Sequence, residues 1–129
     1  MVTSNQESAM TIPSKTQFLA AYDLVSNSDT WTKGVWARDK DGKTVSYTEP
    51  TAVCFCSLGA MAKAGWLNSA TWRGLSAETV MMFDAQAHDI KVGKPRTNID
   101  LIGIYNDASE HAEVVAWWER VGKAWGYLQ

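Results

Sequence analysis

Apolar residues near the carboxyl end of the chain recur at alternating steps of four and three. This spacing places them on one face of a helix, and the face comprises Val114, Trp118, Val121, Trp125 and Leu128. Before this face, Asp107 has the position of an N-cap residue and Glu110 that of the third helical residue. Acidic side chains at these positions favour the start of a helix, since they stabilise its amino end. The pattern predicts a final helix that begins after Asp107 and buries a tryptophan-rich face.

Two other helices are predicted from serine caps. Ser14 and Gln17 have the spacing of a capping box. The apolar face that follows comprises Phe18, Leu19, Tyr22 and Val25. Ser76 caps a later helix, whose inward positions are Val80, Phe83 and Ala87. Residues 88–97, with Gly93 and Pro95, are predicted to form a loop.

Residues 31–48 are predicted to form a β-hairpin. Asp41 and Gly42 are the pair favoured in a two-residue type I′ turn. With that turn Trp36 lies opposite Tyr47 and Arg38 lies opposite Val45, so the four side chains share one face. Because an isolated hairpin is barely stable in water, we expect it to pack on the helices.

Two segments allow two interpretations each. The small and apolar residues of 52–64 favour a buried helix, with a strand at 53–55 followed by a helix as the alternative. Gly65 is the expected C-cap. Segment 99–105 fits a helix turn through Ile99 and Ile102, or a strand through Ile102 and Ile104.

Together these elements predict a mainly α fold of the α+β class. We expect a compact bundle of four or five helices with one β-hairpin. Residues 1–12 are predicted to be a flexible tail, and residues 13–129 a single helical domain, which is an ordinary domain size.

Composition and charge exclude several classes of function. The 12 basic and 14 acidic residues form no basic stripe, so direct nucleic-acid binding is not expected. Two histidines without ligand spacing predict no metal site, and no cofactor is expected. Cys54 and Cys56 lie too close in sequence for a good disulfide. Free thiols, a polar amino end and the lack of a membrane-length apolar run predict a cytoplasmic protein.

The chain resembles an uncharacterised family of small proteins found in bacterial and phage genomes. The resemblance is carried by Trp31, Gly34, Ala37, Arg38, Asp39, Gly42, residues 55–60, Asn106, Asp107, Glu113 and Val114. No activity is assigned to that family. The resemblance implies a small accessory protein in the host cytoplasm, of a kind in which many members bind and inhibit host proteins.

The chain contains seven tryptophans, and tryptophan is enriched at binding hot spots. Two candidate protein-binding surfaces contain tryptophan. The predicted hairpin face carries Trp36, Arg38, Val45 and Tyr47. Aromatic residues with an arginine are typical of binding hot spots. On the last helix, Trp117 beside Arg120 would anchor a partner or a second copy of the chain if it is exposed. The competing interpretations are that the hairpin face docks on the helices and that both Trp117 and Trp118 are buried.

Cys56 is the one candidate nucleophile. A cysteine near a helix start can have a lowered pKa, and His111 with Asp107 one turn earlier could complete a triad. The competing interpretation is a buried cysteine in an apolar run. The leading functional hypothesis is therefore a non-enzymatic protein-binding module, an anti-CRISPR-like phage inhibitor acting on a host defence protein by occlusion. The alternatives are a cysteine-dependent hydrolase or transferase and a homo-oligomeric structural protein.

Overall fold

The computed structural model describes residues 12–66, 75–87 and 98–129. Within them the chain forms five α-helices and one two-stranded antiparallel sheet. The predicted loop 88–97 and residues 1–11 of the predicted tail lie outside these ranges. The fold class predicted from the sequence is confirmed: helices dominate, with a small β element.

The elements follow one another in a simple order. They are α1 (Lys15–Ser26), β1 (Ala37–Arg38), β2 (Cys54–Phe55), α2 (Ser57–Lys63), α3 (Ala77–Ala85), α4 (Asn98–Ala108) and α5 (His111–Ala124). Helix α1 packs against α2 and α5, and α4 packs against α3 and α2. No helix of the described ranges has both the length and the apolarity to cross a bilayer.

Local caps begin two helices at the predicted positions. The hydroxyl of Ser14 accepts from the Gln17 amide at 3.1 Å, and the Gln17 side chain accepts from the Ser14 amide at 3.0 Å. The hydroxyl of Ser76 accepts from the Thr79 amide at 3.1 Å. Both capping predictions are confirmed, because a cap depends on residues only three positions apart.

The start of the last helix was predicted too early. Segment 99–105 is helical, and α4 continues through Asp107 to Ala108. Helix α5 has Glu110 as its N-cap, and the Glu113 side chain accepts from the Glu110 amide at 2.9 Å. Asp107 therefore caps no helix, and its carboxylate bonds elsewhere.

Segment 52–64 follows the strand-then-helix alternative. Residues 54–55 pair with β1 in the register Ala37 to Phe55 and Arg38 to Cys54. Cys56 is extended and is the N-cap of α2, because its sulfur accepts from the Gly59 amide at 3.4 Å, and its own amide donates to the Trp36 carbonyl. Gly65 follows the end of α2 with a φ of +85°, the left-handed backbone conformation expected of a glycine that ends a helix.

The hairpin predicted for residues 31–48 is wrong in its second strand and in its register: β1 pairs with residues 54–55, and residues 43–48 form no strand and meet β1 in an isolated bridge that is one residue out of the predicted register. Arg38 lies opposite Thr44, and the Val45 amide donates to the Ala37 carbonyl at 3.1 Å. The loop has three residues instead of two: the Asp39 amide donates to the Lys43 carbonyl at 2.9 Å, and Asp41 lacks the positive φ that a type I′ turn requires, whereas Gly42 has a φ of +83°. A one-residue shift moves side chains to the opposite face, so Val45 lies opposite the buried Ala37 and the four predicted residues do not share one face.

The core is built from aromatic rings. Phe83 makes edge contacts with Trp117 and Trp118 at centroid distances of 5.2 Å and 5.1 Å. Trp66 lies 5.5 Å from Trp118, and Phe18 lies 5.8 Å from it. Each such pair contributes roughly 0.5–1.5 kcal/mol beyond the area it buries. Three of the seven tryptophans, Trp66, Trp117 and Trp118, are therefore buried in the core.

Candidate functional site

A buried polar network centres on the side chain of Asn106 in α4. Asn106 is fully buried. Its Oδ1 accepts from the Trp31 indole at 2.9 Å, the Ser57 amide at 3.0 Å and the Ser57 hydroxyl at 2.8 Å. One amide oxygen thus joins the segment before β1, the first turn of α2 and helix α4.

The neighbouring groups determine which atom donates and which accepts in each of these hydrogen bonds. Because the Ser57 hydroxyl accepts from the Trp118 indole at 3.0 Å, its own proton is available for Asn106. Asn106 Nδ2 donates to the Thr32 carbonyl at 3.3 Å and to Asp107 Oδ1 at 3.0 Å. A buried polar group without a partner is costly, and here both ends of the amide are bonded.

The turn at Lys33 and Gly34 is held against the end of α4. The Gly34 amide donates to Asp107 Oδ1 at 2.9 Å, and Gly34 has a φ of +90°. The Lys33 ammonium lies 3.5 Å from the Ser109 carbonyl and 6.0 Å from the centre of the Trp31 ring. Asp107 therefore takes part in tertiary structure and not in capping.

The guanidinium group of Arg38 donates hydrogen bonds to other residues of the chain. Its guanidinium donates to the Thr32 hydroxyl at 2.9 Å, the Gly42 carbonyl at 3.1 Å and the Lys33 carbonyl at 3.2 Å. These bonds join the 31–34 segment to the loop after β1. The predicted role of Arg38 in contacting a partner gains no support from this arrangement.

The three residues of the candidate triad are not arranged as one. Cys56 is 4% exposed, and burial, together with the smaller effect of the Asp107 charge, raises the pKa of its thiol to about 11. Nε2 of His111 bonds to the Val25 carbonyl at 2.7 Å, and the imidazole packs on Trp31 at 4.9 Å. An activated cysteine needs a lowered pKa, whereas Asp107 acts on Cys56 in the opposite direction.

Trp36 and Tyr47 form a half-buried aromatic pair. Their ring centres are 5.8 Å apart at an interplanar angle of 38°. The backbone of Trp36 lies directly on α2: a Cβ built on Gly59 would be 2.0 Å from the Trp36 carbonyl oxygen. The Cys56 amide donates to that same oxygen at 3.2 Å. The main chain that carries Trp36 is therefore closely fixed by α2.

Comparison with known proteins identifies a family. The model of a family of unknown function, DUF6197, matches residues 11–124. The chain belongs to DUF6197. No curated protein and no solved structure matches it.

Five of the residues that carried the sequence resemblance lie together in this DUF6197 chain. Trp31, Ser57 and Asn106 bond to one another, and Gly34 bonds to Asp107. Each has a role in holding the fold together. Ser57 of the Phe-Cys-Ser-Leu-Gly-Ala motif and both residues of the Asn-Asp motif therefore form hydrogen bonds within the fold.

The second predicted surface is not present. Trp117 is fully buried and its indole donates to the Phe83 carbonyl at 2.8 Å. Arg120 Nε donates to the Gln86 carbonyl at 2.9 Å. The alternative in which both Trp117 and Trp118 are buried is the correct one, because α5 packs against both α1 and α3. The most exposed large apolar side chains of the described ranges are Met81 at 59%, Val53 at 41% and Ile104 at 37%.

Sequence reasoning missed three site residues. Gly59 was seen only as a small helix residue, although the close approach of Trp36 requires it. Ser57, a hydroxyl within an apolar run, was a usable signal, because a buried hydroxyl must find a partner. Thr32 gave no signal, since its role depends on the position of Arg38. No group of three potential metal-ligating side chains occurs in residues 12–66, 75–87 and 98–129.

Proposed function

We propose that this DUF6197 chain is a non-enzymatic protein-binding module. Two features of the site favour binding over catalysis. Cys56, the candidate nucleophile, is held protonated by burial. The polar atoms of Asn106 and Ser57 are used within the fold, whereas a catalytic group must reach its substrate.

The contact surface of this proposal is the Trp36 surface, defined as Trp36 and Tyr47. The observation that carries it is the half-buried Trp36–Tyr47 pair, which packs against the core and keeps some exposed surface, on a main chain held close to Gly59. Aromatic side chains on a rigid backbone lose little entropy on binding, and Trp and Tyr are enriched among hot spots.

The specific form of the proposal is a phage-encoded inhibitor that occludes a host defence protein, in the manner of an anti-CRISPR. Its support is the resemblance stated above together with the small size of the chain. Occlusion requires a rigid surface and no reactive group, which agrees with a protonated Cys56 and a fixed Trp36.

A capture experiment with matched variants tests the proposal. The tagged chain is incubated with bacterial lysate, and captured proteins are quantified for the parent, Trp36→Ala, Tyr47→Ala and Met81→Ala. Met81 is the control, because it is the most exposed of the large apolar side chains on the described surface. We expect one stoichiometric partner, reduced at least tenfold by the first two changes and retained by Met81→Ala.

The same experiment separates binding from catalysis. Cys56→Ser preserves the N-cap position and removes the thiol, so the captured amount should be unchanged. Loss of the partner only with Met81→Ala, or equal capture by all variants, would contradict the choice of surface. Thermal melting of each variant verifies that it remains folded.

A further inference from the structure

The guanidinium of Arg38 joins strand β1 to the turn that precedes Trp36. Its Nη2 donates to the Lys33 carbonyl at 3.2 Å, and its Nε donates to the Thr32 hydroxyl at 2.9 Å. It also packs on the turn itself, since a Cβ built on Gly34 would lie 3.6 Å from Nη2. Because Trp36 lies between Lys33 and Arg38 in the chain, the bond between those two residues closes a ring that contains it.

The same guanidinium is bonded to the loop that leads to Tyr47. Its Nη1 donates to the Gly42 carbonyl at 3.1 Å. Tyr47 follows this loop, and its ring centre lies 5.8 Å from that of Trp36. Arg38 is therefore bonded to the stretch of chain that leads to each ring of the aromatic pair.

The bonds of Arg38 lie near the surface and not in the core. Those to the Lys33 and Gly42 carbonyls are exposed, and that to the Thr32 hydroxyl is half-buried. An exposed acceptor that loses its donor can bond to water, so its loss costs little, unlike that of a buried group. Removal of the guanidinium should therefore leave the helical core folded, while the two stretches of chain are no longer held to one another.

We propose that Arg38 is a positioning residue for the Trp36 surface: it holds the turn before Trp36 and the loop before Tyr47 together, and so fixes the two rings in the arrangement that a partner meets. Its effect on the rings follows from the hydrogen bonds. Its effect on binding rests on the proposed function of the Trp36 surface. A surface that is already rigid loses less entropy on binding, so a looser aromatic pair should bind more weakly.

Lysine at position 38 separates the charge of Arg38 from its geometry. A guanidinium presents five N–H donors in a planar fork, whereas an ammonium is a compact charge on a flexible stem. Arg38→Lys therefore keeps the positive charge and loses the simultaneous bonds to three acceptors. Arg120→Lys is the matched control, because Arg120 Nε donates to the Gln86 carbonyl at 2.9 Å and joins α5 to the end of α3.

NMR relaxation of the free full-length chain tests the positioning role without a partner. The indole N–H of Trp36 gives an order parameter, which is about 0.85 for a rigid group and below about 0.6 for a flexible one. We expect the rigid value in the parent and in Arg120→Lys, and the flexible value in Arg38→Lys. The cross-relaxation between the rings of Trp36 and Tyr47 should weaken in the same variant. Thermal melting should show that both variants remain folded.

Two results would overturn the positioning role. One is an unchanged order parameter of Trp36 in Arg38→Lys, and the other is an equal decrease in Arg120→Lys, which would indicate general loosening of the fold. If Arg38→Lys does not fold, Thr32→Val takes its place, since it removes one acceptor and nearly preserves the shape of the side chain. It should lower the order parameter less than the loss of all three bonds would.

Capture of the partner then tests the link from positioning to binding. We expect Arg38→Lys to retain about one fifth of the partner captured by the parent, because the rings must be ordered on binding. Full capture by a variant with a mobile Trp36 would refute the link. Absence of a partner for the parent would instead refute the proposed function, and the order parameters would still decide whether Arg38 positions the rings.

Discussion

The side-chain oxygen of Asn106 accepts the indole N–H of Trp31 at 2.9 Å, across 75 positions of sequence. The same oxygen accepts the first amide of α2 from Ser57. A helix leaves its first amides without partners in its own backbone, and Asn106 supplies a partner for one of them from another helix. Asn106 thus links the packing of α4 to the start of α2.

Asn106→Ala should destabilise the fold severely. The change leaves the Trp31 indole and the Ser57 amide without their acceptor, at about 1–3 kcal/mol for each buried group. We expect the free energy of unfolding in urea to fall by roughly 3–5 kcal/mol in total. Lys40→Ala, at an exposed loop position, is the control and should change it by less than about 0.5 kcal/mol. Equal stability of the two variants would refute the role given to Asn106.

Gly59→Ala should unfold the chain or lower its melting temperature strongly. The added Cβ would meet the Trp36 carbonyl oxygen at 2.0 Å, and backbone cannot move away cheaply. Gly103→Ala in α4 is the matched control, because its Cβ meets only the flexible Leu58 side chain at 3.2 Å. Since alanine favours a helix by about 1 kcal/mol over glycine, Gly103→Ala should melt close to the parent. Differential scanning calorimetry compares the two.

Trp117→Phe should lower stability without changing any surface property. The indole donates to the Phe83 carbonyl, which would lose a partner at a cost of about 1–3 kcal/mol. Chemical denaturation measures the change, and light scattering should report the same molecular mass for parent and variant. A change of mass with unaltered stability would instead restore Trp117 as a contact residue between copies.

Cys56 should resist thiol reagents in the folded chain. Burial raises the pKa of its thiol from 9.0 to about 11, so the reactive thiolate is scarce at pH 8 and is also inaccessible. In a Cys54→Ser background, labelling by a maleimide should require unfolding and should accelerate in urea. Labelling in the native state at the rate of free cysteine would revive the hypothesis of a cysteine enzyme.

The same shift predicts a loss of stability at alkaline pH. Because the folded thiol has a raised pKa, its contribution is complete below pH 9 and is lost as the pH rises toward 11. The full shift corresponds to about 2–3 kcal/mol. Cys56→Ser should show a smaller decline between pH 9 and pH 11 in urea titrations. Tyr22→Phe is the necessary comparison, since burial also raises the pKa of Tyr22 to about 12.

The sequence was most informative where structure depends on near neighbours. The caps of α1 and α3 follow from residues three positions apart, and the structure places them as predicted. The predicted stripe of α5 is confirmed for Val114, Trp118 and Val121, whereas Trp125 and Leu128 lie beyond the last helical residue, Ala124. The predicted register was wrong because Asp41 does not adopt the positive φ that a type I′ turn requires at both central residues. Asp107 was assigned to a cap because its neighbours resemble a helix start.

The candidate site was less predictable, for a physical reason. The bonds of Asn106 to Trp31 and Ser57 span 75 and 49 positions, and no local periodicity carries that information. The burial of Trp117 could likewise not be predicted from local sequence, because it depends on the packing of α3 against a second face of α5. Trp36 and Tyr47 are in contact despite the wrong register, so the pairing of these aromatic residues was predicted better than its geometry.

The Trp36 surface is the central claim, and site-specific photocrosslinking tests it most directly. A benzoylphenylalanine placed at Tyr47 retains an aromatic ring beside Trp36, and the same residue at Met81 reports on an exposed position of α3. After irradiation in bacterial cells, we predict one dominant crosslinked protein from position 47 and none from position 81. Crosslinks to a discrete protein from position 81 alone, or no crosslink from position 47, would contradict the account.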